Sequence, residues 1–233
     1  PQREEERSFV GWECVPVRHA LTVGEVVRWF ADERTRAGLT VVPMRGWSRD
    51  MLWEETGLPW VLPSPNMPTP DTARVYPGGC LLEGTNLSEG RGTTRPFELF
   101  GAPWVEAPAL AWALTEQGGG GFVARPCSFR PMFQKHAGRT CAGVQVHVTD
   151  VARFSPYRAY LAALCAARAF DGFAWRTEPY EFVSDRPAID LLTGDRAVRE
   201  AIDAGARVDE LLRVGGDRAA AWAARREERW LYR

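Results

Sequence analysis

The sequence predicts a mixed α/β protein, α+β overall, with the end of an α/β layer at residues 1–72 and a smaller α+β domain at residues 73–233. Three observations predict this. The 233 residues are 45% hydrophobic, which is enough to bury real cores. Helical and strand-like patterns alternate along the chain. A proline-rich stretch separates the two parts, and we place the domain boundary near residue 72.

The first part is predicted from a helix start signal. Thr22 caps a helix and Glu25, three residues on, completes a capping box. The apolar spacing extends this helix over residues 23–36, and Gly38 ends it. Residues 39–44 are apolar and β-branched, which favours a short strand. A helix followed by a strand is typical of an α/β layer.

The segment at residues 57–79 is expected to lack regular structure. Proline interrupts helices and strands because its nitrogen carries no hydrogen and its φ angle is fixed. Six prolines lie here: Pro59, Pro63, Pro65, Pro68, Pro70 and Pro77. The segment is therefore predicted to be a rigid loop or linker.

The second part shows the periodicities of several short elements. Helices are predicted at 107–117, 156–170, 195–203, 207–212 and 215–228, and strands at 122–125, 128–133 and 142–148. The four glycines at 118–121 end the first of these helices. They precede no Lys-Ser/Thr pair, so they do not form a phosphate-binding loop.

Composition excludes several classes of function. The formal net charge is −1 and the arginines are scattered, so nothing favours nucleic acid as a partner. No window has the roughly 18 apolar residues of a membrane span. The five cysteines are widely spaced, which indicates free thiols more than a disulfide framework, although a Cys127–Cys141 bridge stays open. His147, Asp150 and Cys141 lack the spacing of a metal site, and no metal site is predicted.

The most informative segment is the polar stretch at residues 83–98. Its sixteen residues include three carboxylates and two guanidiniums, and only Leu87, Pro96 and Phe97 are apolar. A segment this polar is buried only with a dense network of hydrogen bonds. We interpret it as a rigid polar loop able to face a sugar. The alternative is a solvent-exposed turn with ordinary surface charges.

Two carboxylates in this stretch fit the chemistry of sugar hydrolysis, which normally needs one acid and one base or nucleophile. Glu83 and Glu89 are the candidate catalytic residues. Arg91 or Arg95 can pair with either carboxylate or grip a carboxylate of a substrate. A structural Glu–Arg pair within the loop is the alternative.

The three histidines have different contexts. His147 lies in a strand whose valines alternate with it, so we expect it to face away from them and to serve a structural role. His19 precedes the helix cap, and His136 follows the chain's single lysine, Lys135, in a turn-like sequence. For these two, a site role and a structural role both stay open.

Long ordered motifs carry a resemblance to a known family. They are Thr56–Val61, Pro63–Thr69, the stretch 83–98, Gly101–Trp104, Lys135–Gly138, Gly143–Gln145, His147–Asp150, Tyr180–Phe182, Ile189–Leu192 and Arg229–Tyr232. In this order they resemble the NamZ-type exo-β-N-acetylmuramidases, a YbbC-like family formerly listed as a domain of unknown function. The resemblance covers nearly the whole chain.

The resemblance implies a bacterial cell-wall hydrolase. It implies release of N-acetylmuramic acid from non-reducing ends of peptidoglycan fragments, in cell-wall turnover and recycling, without a cofactor. It also implies a Rossmann-like N-terminal domain, a smaller C-terminal domain and a site in the cleft between them. An extracytoplasmic location is expected. We expect the chain to begin inside the first domain, so that catalytic carboxylates proposed for the family can lie upstream.

The substrate implied by the resemblance suggests roles for the remaining polar residues. N-acetylmuramic acid carries a lactyl carboxylate, for which Arg91, Arg95 and Lys135 are candidates. The candidates for its hydroxyl and acetamido groups, or for lining the cleft, are Asn66, Thr85, Asn86, Ser88, His19 and His136. Trp60 and Trp104 flank the loop, and for both a core role is favoured over stacking on sugar.

One departure from the family pattern concerns the residue after His19. The family usually has His-Gly-Leu-Thr where this chain has His19 to Thr22, with Ala20 in place of the glycine. A Cβ at this position can alter a tight approach of the backbone next to His19.

Two other functions stay open at this point. The chain can be a non-catalytic carbohydrate-binding module or an inactive fragment of such an enzyme. It can also be a non-glycosidic hydrolase on the same scaffold, since a fold does not fix a function.

Overall fold

The computed structural model describes residues 2–232, and within them it confirms the mixed α+β class. The strands are β1 (Leu99–Ala102), β2 (Phe122–Phe129) and β3 (Cys141–Val148). The helices are α1 (Val23–Phe30), α2 (Glu33–Gly38), α3 (Pro70–Gly79), α4 (Ala107–Gln117), α5 (Pro156–Arg168), α6 (Ala188–Thr193), α7 (Arg196–Asp203), α8 (Val208–Leu211) and α9 (Gly216–Arg226). Short 3₁₀ turns occur at Glu4–Glu6, Trp53–Thr56, Cys80–Gly84 and Glu227–Arg229. None of the helices in this described range is long and apolar enough to cross a membrane.

The three strands form one antiparallel sheet in the order β1-β3-β2. Its inner face packs against α4 and α5 and buries Phe100, Val144 and Val146. His147 lies exposed on the outer face, opposite to the valines as predicted, where Arg125 Nε donates to its Nε2 at 3.4 Å. This sheet and its two helices form the core of the second part.

Two separate strands are predicted at 122–125 and 128–133, but the structure has one continuous strand, β2, so the predicted break between them is wrong. Pro126 lies in the middle of β2, which is an edge strand of the sheet. Proline is tolerated on an edge because its missing hydrogen-bond donor then faces away from the ladder.

Helix α5 is the central buried helix. Its inward positions are mostly alanine and leucine, and Tyr160 and Leu161 are among its fully buried residues. Helix α3 crosses it closely at Gly78, where a Cβ would lie 2.1 Å from the carbonyl oxygen of Pro156. A larger residue at this position would separate the two helices.

The prolines do not prevent a helix at α3, which corrects the prediction for residues 57–79. Pro70 occupies the first turn of α3, where no backbone donor is needed, and Thr69 caps the helix. The second proline, Pro77, falls in the last turn. Proline position within a helix, rather than proline content, decides the outcome here.

The first part contains the predicted capping box, because Thr22 and Glu25 bond each other's backbone N–H groups. The predicted helix at 23–36 is instead two helices, since Asp32 caps a new one by accepting from the Thr35 N–H at 2.7 Å. The predicted strand at 39–44 is not formed. A strand needs a neighbouring strand to pair with, and in residues 2–232 no strand or bridge pairs with this segment.

Glu25 joins the first part to the end of the chain. Its side chain is fully buried and accepts hydrogen bonds from the N–H groups of Thr22 and Leu231 at 2.7 and 2.6 Å. It also forms an ion pair with Arg49 at 2.6 Å. Burial raises the pKa of Glu25, but the hydrogen bonds and Arg49 outweigh it, so the pKa is lowered overall. The carboxylate thus holds three distant segments together.

Ala20 adopts the left-handed conformation, with φ at +57°. Its carbonyl accepts hydrogen bonds from Arg49 Nη1 at 2.8 Å and Trp230 Nε1 at 3.2 Å. A side chain disfavours this conformation, whereas glycine adopts it freely. The departure from the family's glycine therefore falls on a position whose backbone favours glycine.

We expect Glu25→Gln to lower the free energy of unfolding by about 2 kcal/mol at pH 7, because a charged hydrogen-bond acceptor with three partners is lost. The folded-state pKa of Glu25 lies below its ordinary value of 4.5. Its contribution is therefore complete above that value and is lost as the pH falls through the folded pKa. The difference in the free energy of unfolding between wild type and variant, measured by urea unfolding, should shrink toward pH 3. The matched control is Glu33→Gln on the exposed α2, and an equal effect of both changes would contradict this role.

Candidate functional site

The polar loop at residues 83–98 is a buried, rigid structure rather than a surface turn. It connects the 3₁₀ turn at Cys80–Gly84 to β1, and Ser88 and Gly101 exchange two backbone hydrogen bonds of 2.8 and 3.0 Å. The Phe97 N–H donates to the Glu89 carbonyl, and Tyr160 Oη donates to the Phe97 carbonyl. Gly90 has φ +76°, and a Cβ there would lie 2.2 Å from the Leu99 carbonyl oxygen. The sequence therefore needs glycine at this turn.

Four side chains of alternating charge lie together at the centre of the site. Three come from the loop and one from outside it, and we call them the charge cluster: Glu83, Arg91, Glu89 and Lys135. Arg91 lies 2.6 Å from Glu83 Oε1 and 3.2 Å from Glu89 Oε1. Lys135 Nζ lies 3.0 Å from Glu89 Oε2. The side chain of Glu89 is 5% exposed and that of Glu83 is 13% exposed. Each carboxylate therefore has a cationic partner away from most of the solvent.

The pKa values of the two cations are shifted in opposite directions by their surroundings. Burial lowers the pKa of Lys135, and the nearby Glu89 offsets this only in part. Burial also opposes the charge of Arg91, but Glu83 and Glu89 outweigh it and raise the pKa of Arg91. Lys135 Nζ additionally donates to the Leu82 carbonyl at 3.0 Å. Of the two cations, Lys135 is thus the one that loses its proton more readily.

Tyr180 completes the charge cluster from the second half of the chain. Its hydroxyl donates to Glu83 Oε2 at 2.9 Å, and the residue is 6% exposed. Burial, followed by the negative charge of Glu83, raises the pKa of Tyr180. The phenol therefore keeps its proton and acts as a hydrogen-bond donor to Glu83. In the sequence, Tyr180 stands out only as part of the Tyr180–Phe182 motif.

The small polar residues of the loop point inward. Thr85 and Ser88 are almost fully buried, and their hydroxyls bond backbone groups of the loop itself. Asn86 uses both ends of its amide, donating to the Gly172 carbonyl at 2.8 Å and accepting from the Ala174 N–H at 3.0 Å. In this structure these three candidates shape the loop.

His136 fastens the loop from outside. Its Nε2 lies 2.7 Å from the Asn86 carbonyl oxygen, and its backbone is left-handed with φ +58°. Lys135 and His136 thus hold the loop through neighbouring contacts, at the Leu82 and Asn86 carbonyl oxygens. A contact between positions 50 residues apart gives no local signal in the sequence.

Arg95 is the most exposed cation of the loop, with 43% of its side chain accessible. Its ion pair with Glu98 is long, at 3.6 Å. Glu98 itself is buried and accepts a hydrogen bond from Thr72 Oγ1 at 2.7 Å, which ties the loop to the start of α3. Glu98 is one of the three carboxylates counted in the stretch, and no role was predicted for it, although its position three residues after Arg95 is a usable signal.

His19 and Asn66 lie apart from the charge cluster. Within residues 2–232 neither makes a hydrogen bond or ion pair with it. His19 Nδ1 accepts from the Leu21 N–H at 3.2 Å, and burial lowers the pKa of His19. Asn66 lies in the proline-rich segment, where its N–H donates to Ser64 Oγ at 3.4 Å.

The two flanking tryptophans pack against other aromatic residues. Trp104 lies against the hydrophobic core and contacts Phe170 and Phe173. Trp60 packs edge-on against Trp53 with ring centres 5.1 Å apart. Trp104 fits the core role favoured from sequence, whereas Trp60 is half-buried and packs on Trp53 without joining the hydrophobic core clusters of the described residues.

A cavity of about 500 Å³ meets the charge cluster through Tyr180 alone among the described lining residues that bond it, and none of the four charged side chains lines the cavity. Its wall includes His19, Tyr76, Cys80, Tyr157 and Tyr180, so Tyr180 belongs to both the wall and the charge cluster. Burial raises the pKa of Cys80 to about 12, which keeps this thiol protonated and unsuited to nucleophilic attack.

All five cysteines are free, so the possible Cys127–Cys141 disulfide is not formed. In the sheet, Cys127 is opposite Gly143 and Cys141 is opposite Phe129, which places the two thiols two register positions apart. In the described part of the chain no His, Cys, Asp or Glu residues group as a metal site.

The fold and the site define an α+β protein with a buried, ion-paired polar loop beside a cavity, an arrangement typical of small-molecule sites. The chain belongs to the exo-β-N-acetylmuramidase NamZ family: residues 1–71 match the N-terminal model of that family and residues 74–232 match the C-terminal model.

A curated relative is the peptidoglycan β-N-acetylmuramidase NamZ of Bacillus subtilis (strain 168), which is 41% identical over 209 residues. The match covers 89% of this chain and 49% of that protein, so the chain spans about half the length of this relative. Two crystal structures of DUF1343 family proteins from Bacteroides fragilis are similar over 100% of this chain and 61% of theirs. Their TM-scores are 0.82 and 0.69, at 28% and 23% identity. The second supports the fold alone.

A double-mutant cycle tests the burial of the charge cluster. We expect Glu89→Gln and Lys135→Met each to lower the free energy of unfolding by about 2 kcal/mol, because each leaves a poorly solvated charge with one partner fewer. The double variant should cost about 1 kcal/mol less than the sum, as measured by urea unfolding. The exposed Arg168–Asp203 pair is the control and should show little coupling. Strictly additive effects at Glu89 and Lys135 would contradict the ion pair.

Proposed function

We propose that this chain contributes a sugar-facing wall to a glycoside hydrolase that releases N-acetylmuramic acid from non-reducing ends of peptidoglycan fragments. The observation that carries the proposal is the charge cluster, which holds two ion-paired carboxylates in a rigid loop and bonds Tyr180, a residue that lines a cavity. Membership of the exo-β-N-acetylmuramidase NamZ family supports the substrate class.

Hydrolysis of a glycoside passes through a state with positive charge at the anomeric carbon. A carboxylate next to that carbon stabilises the charge, or acts as base or nucleophile. Glu83 and Glu89 are the carboxylates that we propose for these roles, because each is held next to a cation in the charge cluster. The proton donor of the reaction is then another group, and the relative's additional length leaves room for it outside this chain.

Tyr180 serves as a positioning residue for Glu83 in this scheme. Its hydroxyl bonds one carboxylate oxygen while Arg91 bonds the other, so both oxygens are oriented. Such fixed orientation lowers the cost of reorganisation during the reaction.

Arg95 is the residue we propose for the lactyl carboxylate of the sugar. Arg91 and Lys135 already have carboxylate partners within the charge cluster, whereas Arg95 is more exposed and only weakly paired. A guanidinium binds a carboxylate through two parallel hydrogen bonds. This assignment separates the cations that build the loop from the one that meets the ligand.

A different interpretation is a carbohydrate-binding module without activity. The side chains of Thr85, Ser88 and Asn86 bond backbone groups and so make the loop rigid. A rigid loop suits sugar binding as well as catalysis. The distinction depends on whether removing the paired carboxylates removes turnover or only weakens affinity.

We expect Glu83→Gln and Glu89→Gln each to reduce release of N-acetylmuramic acid from a chromogenic muramoside by at least about a hundredfold, a typical cost of losing an acid–base or nucleophilic group. The assay uses this chain and the longest protein that its gene encodes. Glu106→Gln, a change at an exposed position before α4, is the control. Turnover that survives both changes would exclude these carboxylates, and sugar binding without any turnover would favour the binding module.

The role of Arg95 has its own test. We expect Arg95→Gln to weaken binding of N-acetylmuramic acid about tenfold, because a charge-assisted pair is lost. Binding of N-acetylglucosamine, which lacks the lactyl carboxylate, should be unchanged in calorimetric titration. Arg130→Gln, at an exposed arginine that bonds only Thr140 within the described residues, is the control. Equal weakening of both sugars would assign Arg95 to the loop's structure instead.

A further inference from the structure

The Tyr180–Phe182 motif forms a tight hairpin that the site described so far does not explain. The N–H groups of Tyr180 and Val183 each donate to the other's carbonyl at 2.9 Å, which leaves Glu181 and Phe182 as the two turn residues. Both are left-handed, with φ of +46° and +68°. Turns of this kind are normally built from Asn-Gly or Gly-Gly, because side chains disfavour the conformation.

Phe182 combines two unfavourable properties. Its backbone is left-handed, and its side chain is 94% exposed, so no burial of the ring compensates for the backbone. Strained residues of this kind persist where their surroundings hold them, and they occur often at functional sites.

The base of the hairpin is held firmly. Tyr180 is buried and bonded to Glu83. Arg176 donates to the Pro179 carbonyl at 3.0 Å, and its guanidinium lies 5.1 Å from the centre of the Tyr180 ring. The aromatic ring at the tip is therefore presented at a fixed place.

The hairpin adjoins the cavity through its first residue. Tyr180, two residues before Phe182, lines the cavity. The Phe9 ring lies edge-on to the Phe182 ring with centres 6.0 Å apart, and the residue after Phe9, Val10, also lines the cavity. Two exposed aromatic rings thus lie one and two residues along the chain from side chains that line the cavity.

We propose that Phe182 is an aromatic platform on which a pyranose ring of the substrate stacks. The inference rests on the proposed function for the class of ligand. The C–H groups on one face of a pyranose carry partial positive charge, and the face of an aromatic ring carries partial negative charge. A sugar held on Phe182 would lie next to the hairpin whose first residue, Tyr180, bonds Glu83. The strain at the turn then has a function, because it aims the ring.

The test uses three variants that separate the ring from the backbone. Phe182→Gly removes the ring and relieves the left-handed backbone, Phe182→Leu keeps apolar bulk without an aromatic face, and Phe182→Tyr keeps the ring. Calorimetric titration of this chain with the disaccharide N-acetylmuramyl-β-1,4-N-acetylglucosamine gives the affinity, and thermal unfolding gives the Tm.

We expect Phe182→Gly to raise the Tm by about 3 °C while weakening the disaccharide about tenfold. Phe182→Leu should weaken binding similarly, and Phe182→Tyr should bind like wild type. Trp112→Ala, at an aromatic residue of α4 that is 68% exposed, is the control and should leave affinity unchanged. If Phe182 only supported the fold, its replacement would not raise the Tm of the protein and weaken disaccharide binding at the same time.

Wild-type affinity in Phe182→Gly or in Phe182→Leu would overturn the platform while leaving the proposed function intact. If Phe182→Gly fails to fold, Phe182→Leu against Phe182→Tyr still decides the question. Absence of disaccharide binding by the wild-type chain would instead contradict the proposed function, and the platform would fall with it.

Discussion

The burial of Glu89 is the constraint on which the rest of the site depends. The Glu89 carboxylate has 5% of its side chain exposed and has therefore lost most of its hydration. It needs cationic partners to offset that cost. Arg91 supplies one from the same loop, and Lys135 supplies the other from beyond β2. Arg91 in turn holds Glu83, which receives the Tyr180 hydroxyl. One buried charge thereby fixes the relative positions of three separate segments.

The same constraint explains why the loop needs so many small polar residues. Its backbone turns sharply at Gly90 and would leave buried N–H and carbonyl groups without partners. Thr85 and Ser88 satisfy such groups from within, and the Asn86 amide ties the loop to the backbone at Gly172 and Ala174. Polar side chains that seemed available for a ligand in the sequence are therefore part of the loop's internal network. The exposed groups that can meet a ligand are fewer, and Arg95 and Phe182 are prominent among them.

A second buried acid organises the other part of the chain in the same way. Glu25 replaces its lost water with two backbone N–H groups and Arg49, and Arg49 stacks over Trp230 with 4.4 Å to the ring centre. The carbonyl of Ala20 accepts from the same arginine and from the same tryptophan. The left-handed backbone at Ala20 is thus held by contacts with both the middle and the end of the chain. In both halves a buried carboxylate, rather than apolar packing alone, connects segments that are far apart in sequence.

The sequence by itself determined the features that depend on near neighbours. Thr22 and Glu25 predicted a capping box because cap and carboxylate are three residues apart, and the alternation around His147 predicted which face of β3 is outward. The density of charge in residues 83–98 identified the loop, and its ordered motifs identified the family. Only the tertiary structure decided what depends on distant contacts: the unformed strand at 39–44, the helix beginning at Pro70, the partner of Glu98, and Lys135 and Tyr180 meeting the loop. Local spacing encodes hydrogen bonds within one or two turns, whereas a strand's partner or a buried charge's counterion is chosen by how the whole chain packs.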